Sequence, residues 1–369
     1  MALHEIPTEP LRGWVGRLFE ALGSETREAG LVADHLVESN LAGHDSHGVS
    51  MIPTYLDAFE CGFLQLNREV EPVLDSGAML ILDGRRGLGQ SVAFQATALG
   101  IERARSHGIA LLGLRNAHHI GRIGHWAEQA MAAGLVSIHF TNAMYRTPIV
   151  APHGGAEARF LTNPFTVGIP RRDGEPILLD FATSAIAHGK ARVALNAGLP
   201  VPPGTVIDAD GQPTTDPQAV FGEPLGALRT FAGHKGHALA MVCELLGAAM
   251  IGGVTGHPDN LPDGPGVINN MMTLLFDPAR LGGGTQASFE HEASAFIDWV
   301  RSARRDEVGE ALGGILMPGD TERRSRAERA ECLPLDDGTL AALAEAAVRV
   351  TARGDVVVPD PRTLVGSQG

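Results

Sequence analysis

The sequence is poor in cysteine and contains no cysteine motif. Its three cysteines, Cys61, Cys243 and Cys332, are spread along 369 residues, and no two of them form a CxxC pair. An odd number of widely separated cysteines is typical of reduced thiols in a cytoplasmic protein. We therefore expect a cytoplasmic protein without structural disulfides.

Long apolar runs and an excess of positive charge are also lacking. No run of about eighteen apolar residues occurs, so no membrane span is predicted. The segment 1–7 lacks the basic start and apolar core of a signal peptide, so we expect none. Lys and Arg number 29 against 43 Asp and Glu, a net charge of −14. This balance argues against nucleic acid or an anionic membrane as the main partner and favours a small molecule.

The glycine fingerprints of nucleotide binding are missing as well. Neither G-x-G-x-x-G nor G-x-x-x-x-G-K-[ST] occurs, and the glycines between Gly84 and Gly89 have a different spacing. A doubly wound nucleotide-binding fold needs such a turn after its first strand. Either no dinucleotide binds, or it binds on a different fold.

The chain nevertheless has the strand and helix patterns of an α/β or α+β protein. The first 75 residues are predicted to be helical, with Ser24 as an N-cap and a second helix running from Pro53 toward Cys61. Strands are predicted over 78–83, 109–114, 135–140, 165–170, 177–181, 271–276 and 314–317. Further helices are predicted over about 88–106, 122–133, 185–196, 235–251, 286–303 and 337–352. The Gly- and Pro-rich stretch 253–266 is predicted to be a long loop.

A dense polar cluster, His44-Asp45-Ser46-His47-Gly48, lies between two predicted helices. A histidine here suits proton transfer, because its unperturbed pKa of about 6.5 is close to working pH. Ser46 is a candidate to orient the ring, and Gly48 permits close backbone approach. The alternative is an ordinary loop between helices.

A second cluster, Asn116 to His125, follows a predicted strand and opens a helix. Its backbone amides and Arg122 could meet an anion. Three histidines, His118, His119 and His125, also raise the possibility of a metal site, although no HExxH arrangement is present. A helix-capping loop with structural histidines is the alternative.

Three more polar groups lie just beyond predicted strands or at helix starts. They are Leu161–Pro164, then Asp180–Ser184 with Gly189 and Lys190, and finally Gly233–Gly236. Hydroxyls and a cation would suit phosphates, and a lysine at a helix N-terminus is tolerated mainly when an anion lies there. Simple turns are the alternative.

Together these segments resemble the malate/L-lactate dehydrogenase family of the second, non-Rossmann type. The matching stretches are GHDSHGVSMIPTY (43–55), LDGRRGLGQ (82–90), NAHHIGRIGHWAEQA (116–130), VSIHFTN (136–142), TNPF (162–165), LLDFATSAIAHGKARVA (178–194), GLPVPPG (198–204), HKGHALAMVCELLGAAMIGG (234–253) and LMPGD (316–320). The resemblance implies a mostly antiparallel mixed sheet flanked by helices, together with a helical domain, and it accounts for the missing glycine fingerprint.

The resemblance also implies roles for particular residues. His47 and Ser46 match the family's acid–base pair, and His119 matches a proton acceptor of some members. The residues implied to bind the cofactor are His47, His119, Arg122, Ile123, Gly124, Asp180, Ala182, Thr183, Ser184, His234, Lys235, Asn270, Met317, Pro318, Gly319 and Asp320.

The substrate carboxylate lacks an obvious partner in this sequence. Many family members have an arginine four residues after the motif histidine, where this chain has Met51. His188 replaces a further arginine, and Lys190 stands where reductase members have aspartate. We therefore predict Arg122 as the carboxylate grip, with Arg146 or Lys190 as alternatives.

The predicted function is the reversible oxidation of a 2-hydroxy acid to a 2-oxo acid with NAD or NADP, without a metal. The alternative is a metal-dependent hydrolase or lyase that uses His118, His119 and His125. We expect a helical domain (1–75 and about 321–369), a cofactor-binding sheet domain (76–185 and about 267–320) and an inserted helical subdomain (186–266). The resemblance implies a homodimer with the active site near the subunit interface.

Overall fold

The computed structural model describes residues 2–262, 264–281, 285–354 and 356–365. Its strands are β1 (Leu3–Pro7), β2 (Glu71–Ser76), β3 (Met79–Asp83), β4 (Ile109–Ala117), β5 (Val136–Met144), β6 (Pro164–Ile169), β7 (Ile177–Ala182), β8 (Val206–Ile207), β9 (Pro213–Thr214), β10 (Ala227–Leu228), β11 (Ile268–Phe276) and β12 (Cys332–Asp336). Its helices are α1 (Thr8–Leu22), α2 (Thr26–Leu41), α3 (Ile52–Glu60), α4 (Gly89–His107), α5 (Gly124–Ala132), α6 (His188–Ala197), α7 (His234–Gly247), α8 (Thr285–Arg301), α9 (Glu307–Ala311), α10 (Asp320–Arg329) and α11 (Asp337–Thr351).

A seven-stranded sheet forms the centre of the molecule, in the order β2-β3-β4-β11-β5-β6-β7. Only β3 and β4 pair in parallel, and α4 makes the crossover between them. The other neighbours are antiparallel. The predicted mostly antiparallel mixed sheet flanked by helices is therefore confirmed.

A helical layer lies beside the sheet and has its own apolar core. Helices α1, α2, α3 and α11 bury large side chains such as Trp14, Phe19, Leu36 and Leu343. Full burial of one such side chain contributes about 1.5–3 kcal/mol. The antiparallel pair β1–β12 joins the N-terminal and C-terminal segments of this layer.

Contacts between α2 and the loop after β4 connect the helical layer to the sheet. Nε2 of His35, on α2, accepts a hydrogen bond from the backbone N–H of Arg122 at 2.9 Å. Gly121 has a φ of +72°, and a Cβ there would lie 1.9 Å from Nε2 of His35. The close approach of this loop to α2 therefore requires glycine at position 121.

Six of the seven predicted strands are present, and 314–317 is not a strand. That segment is part of the connection between α9 and α10, where Gly313 and Gly314 have φ values of +71° and +156°. The N–H of Met317 bonds to the Asp320 carboxylate at 2.7 Å instead of to a neighbouring strand. The prediction failed because a short apolar run at the start of a helix has the same local pattern as a strand.

The predicted N-cap at Ser24 is also wrong. Glu25 holds the N-cap position of α2 without a side-chain bond. The Ser24 hydroxyl donates to the Glu28 carboxylate at 2.9 Å. Ser24 precedes the N-cap by one residue, and its hydroxyl donates to a side chain instead of accepting a hydrogen bond from a backbone N–H of the helix.

Several strands were not predicted from the sequence. β2 begins at Glu71 and pairs with β3, so the chain enters the sheet before residue 76. Between α6 and α7, β8, β9 and β10 form a small three-stranded sheet, in a segment for which only helices were expected. Two-residue strands are too short to show an alternating pattern.

No helix in the described ranges is both long and apolar enough to cross a membrane.

Candidate active site

The loop that carries Ser46 and His47 is held by Asn40, at the end of α2. Nδ2 of Asn40 donates to the Asp45 carboxylate at 2.6 Å, and its Oδ1 accepts from the backbone N–H of Val49 at 2.9 Å. A Cβ on Gly48 would lie 2.1 Å from that amide oxygen, so only glycine fits. The polar cluster is therefore a rigid turn that fixes the start of the His47 side chain.

The ring of His47 stacks on His119, which comes from the loop after β4. Nδ1 of His47 lies 3.2 Å from Nε2 of His119, and the two ring planes differ by 11°. His47 is half-buried and His119 is buried. Among the described residues none bonds to Nε2 of His47, and no hydrogen bond joins Ser46 to the ring. His119, rather than Ser46, therefore orients His47.

Two residues that the sequence analysis missed lie behind His119. The Tyr55 hydroxyl, on α3, lies 2.7 Å from Nδ1 of His119. Nε2 of Gln90, on α4, donates to that hydroxyl at 2.7 Å. Both residues lie in stretches that carry the family resemblance, 43–55 and 82–90. Their residue types alone gave no reason to pair them with a histidine.

Burial keeps the rings of His47 and His119 neutral near pH 7. Desolvation lowers the pKa of His47 to about 4; His44 and Arg122 add to the shift, and the Asp180 carboxylate opposes it. Desolvation, reinforced by His47 and His118, holds the pKa of His119 well below its usual value. Each ring therefore carries one proton, on one of its two nitrogens.

The three histidines of the second cluster do not converge. The His118 ring is fully buried, and neither of its nitrogens has a hydrogen-bond partner among the residues that the structure describes. His125 packs against His35 instead, with ring centroids 4.4 Å apart and ring planes tilted by 49°. Within the described ranges, no group of three or more His, Cys, Asp or Glu side chains could hold a metal ion. The metal-dependent alternative therefore gains no support.

Arg122 lies inside the protein, in a charged network. Its side chain is 1% exposed and pairs with Glu128, which also accepts from Arg326 at 2.8 Å. Within the described ranges Nε and NH1 of Arg122 have no hydrogen-bond partner, and NH1 lies 4.0 Å from the Asp180 carboxylate. Asp180 itself accepts from the Gly124 N–H at 2.8 Å. A guanidinium held in this way does not face open solvent.

The N-terminus of α6 lies against the Ser46 turn. A Cβ on Gly189 would come within 2.7 Å of Cβ of Ser46. The next residue, Lys190, is exposed. Arg146 is also exposed, with its guanidinium 5.7 Å from the centre of the Tyr145 ring. Three residues were predicted to bind the substrate carboxylate. Of these, Lys190 is the one whose neighbour in the sequence, Gly189, lies against Ser46.

Thr183 and Asn270, two of the predicted cofactor residues, have buried protein partners. The Thr183 hydroxyl bonds to the carbonyl of Asn163 at 3.0 Å. Nδ2 of Asn270 donates to Asn142 at 2.8 Å, and Asn142 donates to the buried Glu244 at 3.1 Å. These contacts fix the ends of β5, β7 and β11 relative to α7.

The remaining predicted cofactor residues lie on or beside β7 and at the starts of three helices, with Ile123 and Gly124 at α5, His234 and Lys235 at α7, and Met317 to Asp320 at α10. Pro318 accepts from the Leu178 N–H at 3.2 Å, and this bond ties 317–320 to the strand that carries Asp180 and Ala182. The Asp320 carboxylate accepts from the Met317 N–H at 2.7 Å and pairs with Arg323 at 2.6 Å. His234 and Lys235 are exposed at the start of α7.

A cleft of about 470 Å³ opens between the small sheet and the start of α7. Its walls include Ala185, Arg229, Thr230, Gly233 and His153. No carboxylate side chain is found among the described residues that line it. The cleft therefore suits part of an anionic ligand.

Comparison with known proteins gives the same family as the motifs. Residues 6–344 match the family model described as malate/L-lactate dehydrogenase. The chain is 49% identical to hydroxycarboxylate dehydrogenase B of Escherichia coli O157:H7, over 94% of each chain. It is 42% identical to an L-lactate dehydrogenase of Cupriavidus necator, over 83% of this chain and 86% of that one. A solved structure described as a putative malate/lactate dehydrogenase from E. coli superposes with a TM-score of 0.89 at 47% identity, covering 94% of this chain and 95% of that one.

The fold and the matches define a dehydrogenase, an enzyme of the oxidoreductase class. Within that class the chain belongs to the malate/L-lactate dehydrogenase family.

Membership of this family implies a nicotinamide cofactor, and residues of this chain fit such a group. The cleft beside Arg229 has the charge and size for part of a dinucleotide. The exposed Lys235 at the N-terminus of α7 adds a cation where backbone N–H groups point outward.

Proposed function

We propose that the enzyme interconverts a 2-hydroxy acid and a 2-oxo acid with NAD or NADP, and that His47 is its acid–base residue. The observation that carries this proposal is the ring of His47, whose Nδ1 is held by buried His119 while Nε2 has no partner in the part of the chain that the structure describes. The names of the relatives, a hydroxycarboxylate dehydrogenase and an L-lactate dehydrogenase, support the substrate class.

The bound nicotinamide would supply the hydride acceptor or donor. The task of His47 is to take the proton of the substrate hydroxyl in one direction and to return it in the other. Its depressed pKa of about 4 keeps the ring neutral near pH 7, so that a ring nitrogen with a lone pair can accept the hydroxyl proton in the oxidation direction. Whether Nε2 offers a proton or a lone pair depends on the hydrogen bond at Nδ1.

We assign the cofactor to the segments around Asp180–Ser184, His234–Lys235 and Met317–Asp320. The carboxylate-free lining of the cleft near Arg229 supports an anionic occupant. The side chains of Thr183 and Asn270 would act indirectly, since their polar atoms are engaged by the protein.

For the substrate carboxylate, Lys190 has better support than Arg122 or Arg146. Its neighbour Gly189 packs on Ser46, and Lys190 is exposed. Arg122 is buried and committed to Glu128. A Lys190 ammonium directed toward the Ser46 turn would hold the carboxylate so that the substrate hydroxyl comes within reach of His47.

A panel of 2-oxo acids tested with NADH and with NADPH examines the reaction itself. We expect reduction of at least one 2-oxo acid and slower reduction of the matching simple ketone, which lacks the carboxylate. Absence of turnover with every 2-oxo acid and both cofactors would refute the proposal. The ratio of the two kcat/KM values with NADH and NADPH decides the cofactor preference.

The homodimer with its active site near the subunit interface, and the cytoplasmic location, stay predictions from the resemblance and the cysteine content. Sedimentation equilibrium of the purified chain tests the first of them. A mass of twice 38.8 kDa is the expected result.

A further inference from the structure

A chain of four side chains runs from the active site into the protein. His47 meets His119 at 3.2 Å, His119 meets Tyr55 at 2.7 Å, and Tyr55 meets Gln90 at 2.7 Å. The last three residues are buried, and Tyr55 is 0% exposed. Water does not reach these inner contacts, so each proton on the chain is fixed by its neighbours.

The direction of the hydrogen bonds follows from Gln90. Its Nε2 donates to the Tyr55 oxygen, so the Tyr55 hydroxyl proton is free to point at Nδ1 of His119. The amide oxygen of Gln90 is left without a partner, which costs less than leaving the amide N–H groups unpaired. Burial raises the pKa of Tyr55, so the hydroxyl keeps its proton.

The tautomers of the two histidines are then determined in turn. Nδ1 of His119 accepts from Tyr55, so the single proton of neutral His119 lies on Nε2. That N–H donates to Nδ1 of His47, so the proton of neutral His47 lies on Nε2. The free nitrogen at the active site is therefore a donor.

We propose that Tyr55, held by Gln90, is a positioning residue that fixes the tautomers of His119 and His47 and presents Nε2–H of His47 to the substrate. This inference rests on the proposed function of His47. It means that the free enzyme is arranged to hydrogen-bond the oxygen of a 2-oxo acid. If each hydrogen bond between these four side chains were reversed, the Gln90 amide oxygen would face Tyr55. Nε2 of His47 would then offer the lone pair that a 2-hydroxy acid requires.

Nitrogen-15 NMR of histidine-labelled full-length protein tests the tautomers without any substrate. The His47 signals are assigned by their loss in His47→Gln. At pH 7.5 we expect His47 protonated on Nε2 in the unaltered protein and a mixture of both tautomers in Tyr55→Phe. Protonation on Nδ1 in the unaltered protein, or the same tautomer population in Tyr55→Phe, would overturn the proposal.

Kinetics supply a second measurement. We expect Tyr55→Phe to lower kcat for 2-oxo acid reduction about tenfold or more while the KM for the cofactor stays within about twofold. The matched control is Thr97→Val, because the Thr97 hydroxyl is buried on the same helix as Gln90 and has no partner. An unchanged kcat in Tyr55→Phe would contradict the proposal.

Gln90→Met keeps the side-chain length and removes both the donor and the acceptor. If Tyr55→Phe fails to fold, the nitrogen-15 NMR measurement is made on Gln90→Met instead. A mixture of His47 tautomers in this variant supports the proposal. An unchanged Nε2–H tautomer refutes it. If the unaltered protein reduces no 2-oxo acid, the proposed function fails, while the NMR result still tests the tautomer assignment.

Discussion

Nδ1 of His47 lies 3.2 Å from Nε2 of His119, and the two rings stack although 72 positions separate them in the sequence. This contact engages Nδ1 of His47 and makes His119 its support, while Nε2 has no partner among the described residues. It also separates the roles of the two histidines in a way that mutation can measure.

Replacing His47 with Gln should lower turnover at least about 100-fold and change the KM for the cofactor only a few-fold. Glutamine keeps a polar side chain of similar reach but cannot exchange a proton near neutral pH. Steady-state kinetics of both directions measure the effect, with His107→Gln, an exposed histidine, as the control. Turnover unchanged in His47→Gln but lost in His119→Gln would move the acid–base role to His119.

Lys190→Met should raise the KM for the 2-oxo acid about 10- to 100-fold, because a charge-assisted hydrogen bond contributes about 1.5–3 kcal/mol. Arg146→Met, which removes another exposed cation, should change KM less than threefold. The test compares each 2-oxo acid with its neutral amide. The penalty of Lys190→Met should disappear with the amide, and an equal penalty on both compounds would mean that Lys190 does not grip the carboxylate.

Stability should fall as the pH drops from about 6.5 toward 4. Desolvation lowers the pKa of His118 and of His139 from 6.5 to about 3, and that of His125 to about 4. In this window the unfolded chain binds protons that the folded chain refuses, so each group contributes stability that is present above pH 6.5 and lost below it. Each can add at most about 1.4 kcal/mol per pH unit to the slope.

Urea denaturation at several pH values from 7.5 to 4.5 measures this slope. His118→Leu should make it shallower by one proton, because His118 has two unpartnered ring nitrogens in an apolar setting. His107→Gln, at an exposed position, is the control variant. A slope of the same size in His118→Leu would show that His118 titrates normally.

Gly121→Ala should destabilise the protein by about 1–3 kcal/mol and reduce activity. The new Cβ would sit 1.9 Å from Nε2 of His35, at a backbone φ of +72°. The loop that holds His119 and Arg122 would have to move away from α2. Gly30→Ala, within α2 and with no atom within 4 Å of the new Cβ, should instead stabilise by up to about 1 kcal/mol. Thermal unfolding measures the Tm of each variant. Equal changes in Tm for Gly121→Ala and Gly30→Ala would contradict the packing argument.

Glu128→Gln should cost about 3–5 kcal/mol of unfolding free energy, because it leaves the buried Arg122 charge without its carboxylate. The exposed pair Arg159–Glu157 provides the control. Glu157→Gln should change stability by less than about 1 kcal/mol. A small effect of Glu128→Gln would mean that Arg122 finds another partner, with Asp180 the nearest carboxylate.

Most of the long helices and strands with a regular apolar pattern were predicted from the sequence. Helix α4 was predicted over 88–106 and runs from Gly89 to His107. Failures lie where the pattern is short: 314–317 is a connector, and β8 to β10 have two residues each. In such places tertiary contacts decide the backbone, because too few side chains share a face.

Ordered motifs along the chain determined the family, the mostly antiparallel sheet and the choice of His47, because residue types at fixed spacing persist without coordinates. The tertiary structure decided that His119 supports His47, that Tyr55 and Gln90 stand behind it, and that Arg122 is buried against Glu128. Hydrogen-bond partners of a buried group are chosen by distance in space, and these partners come from α3, α4, α5 and separate loops. The spacing of residues along the sequence therefore does not predict these partners.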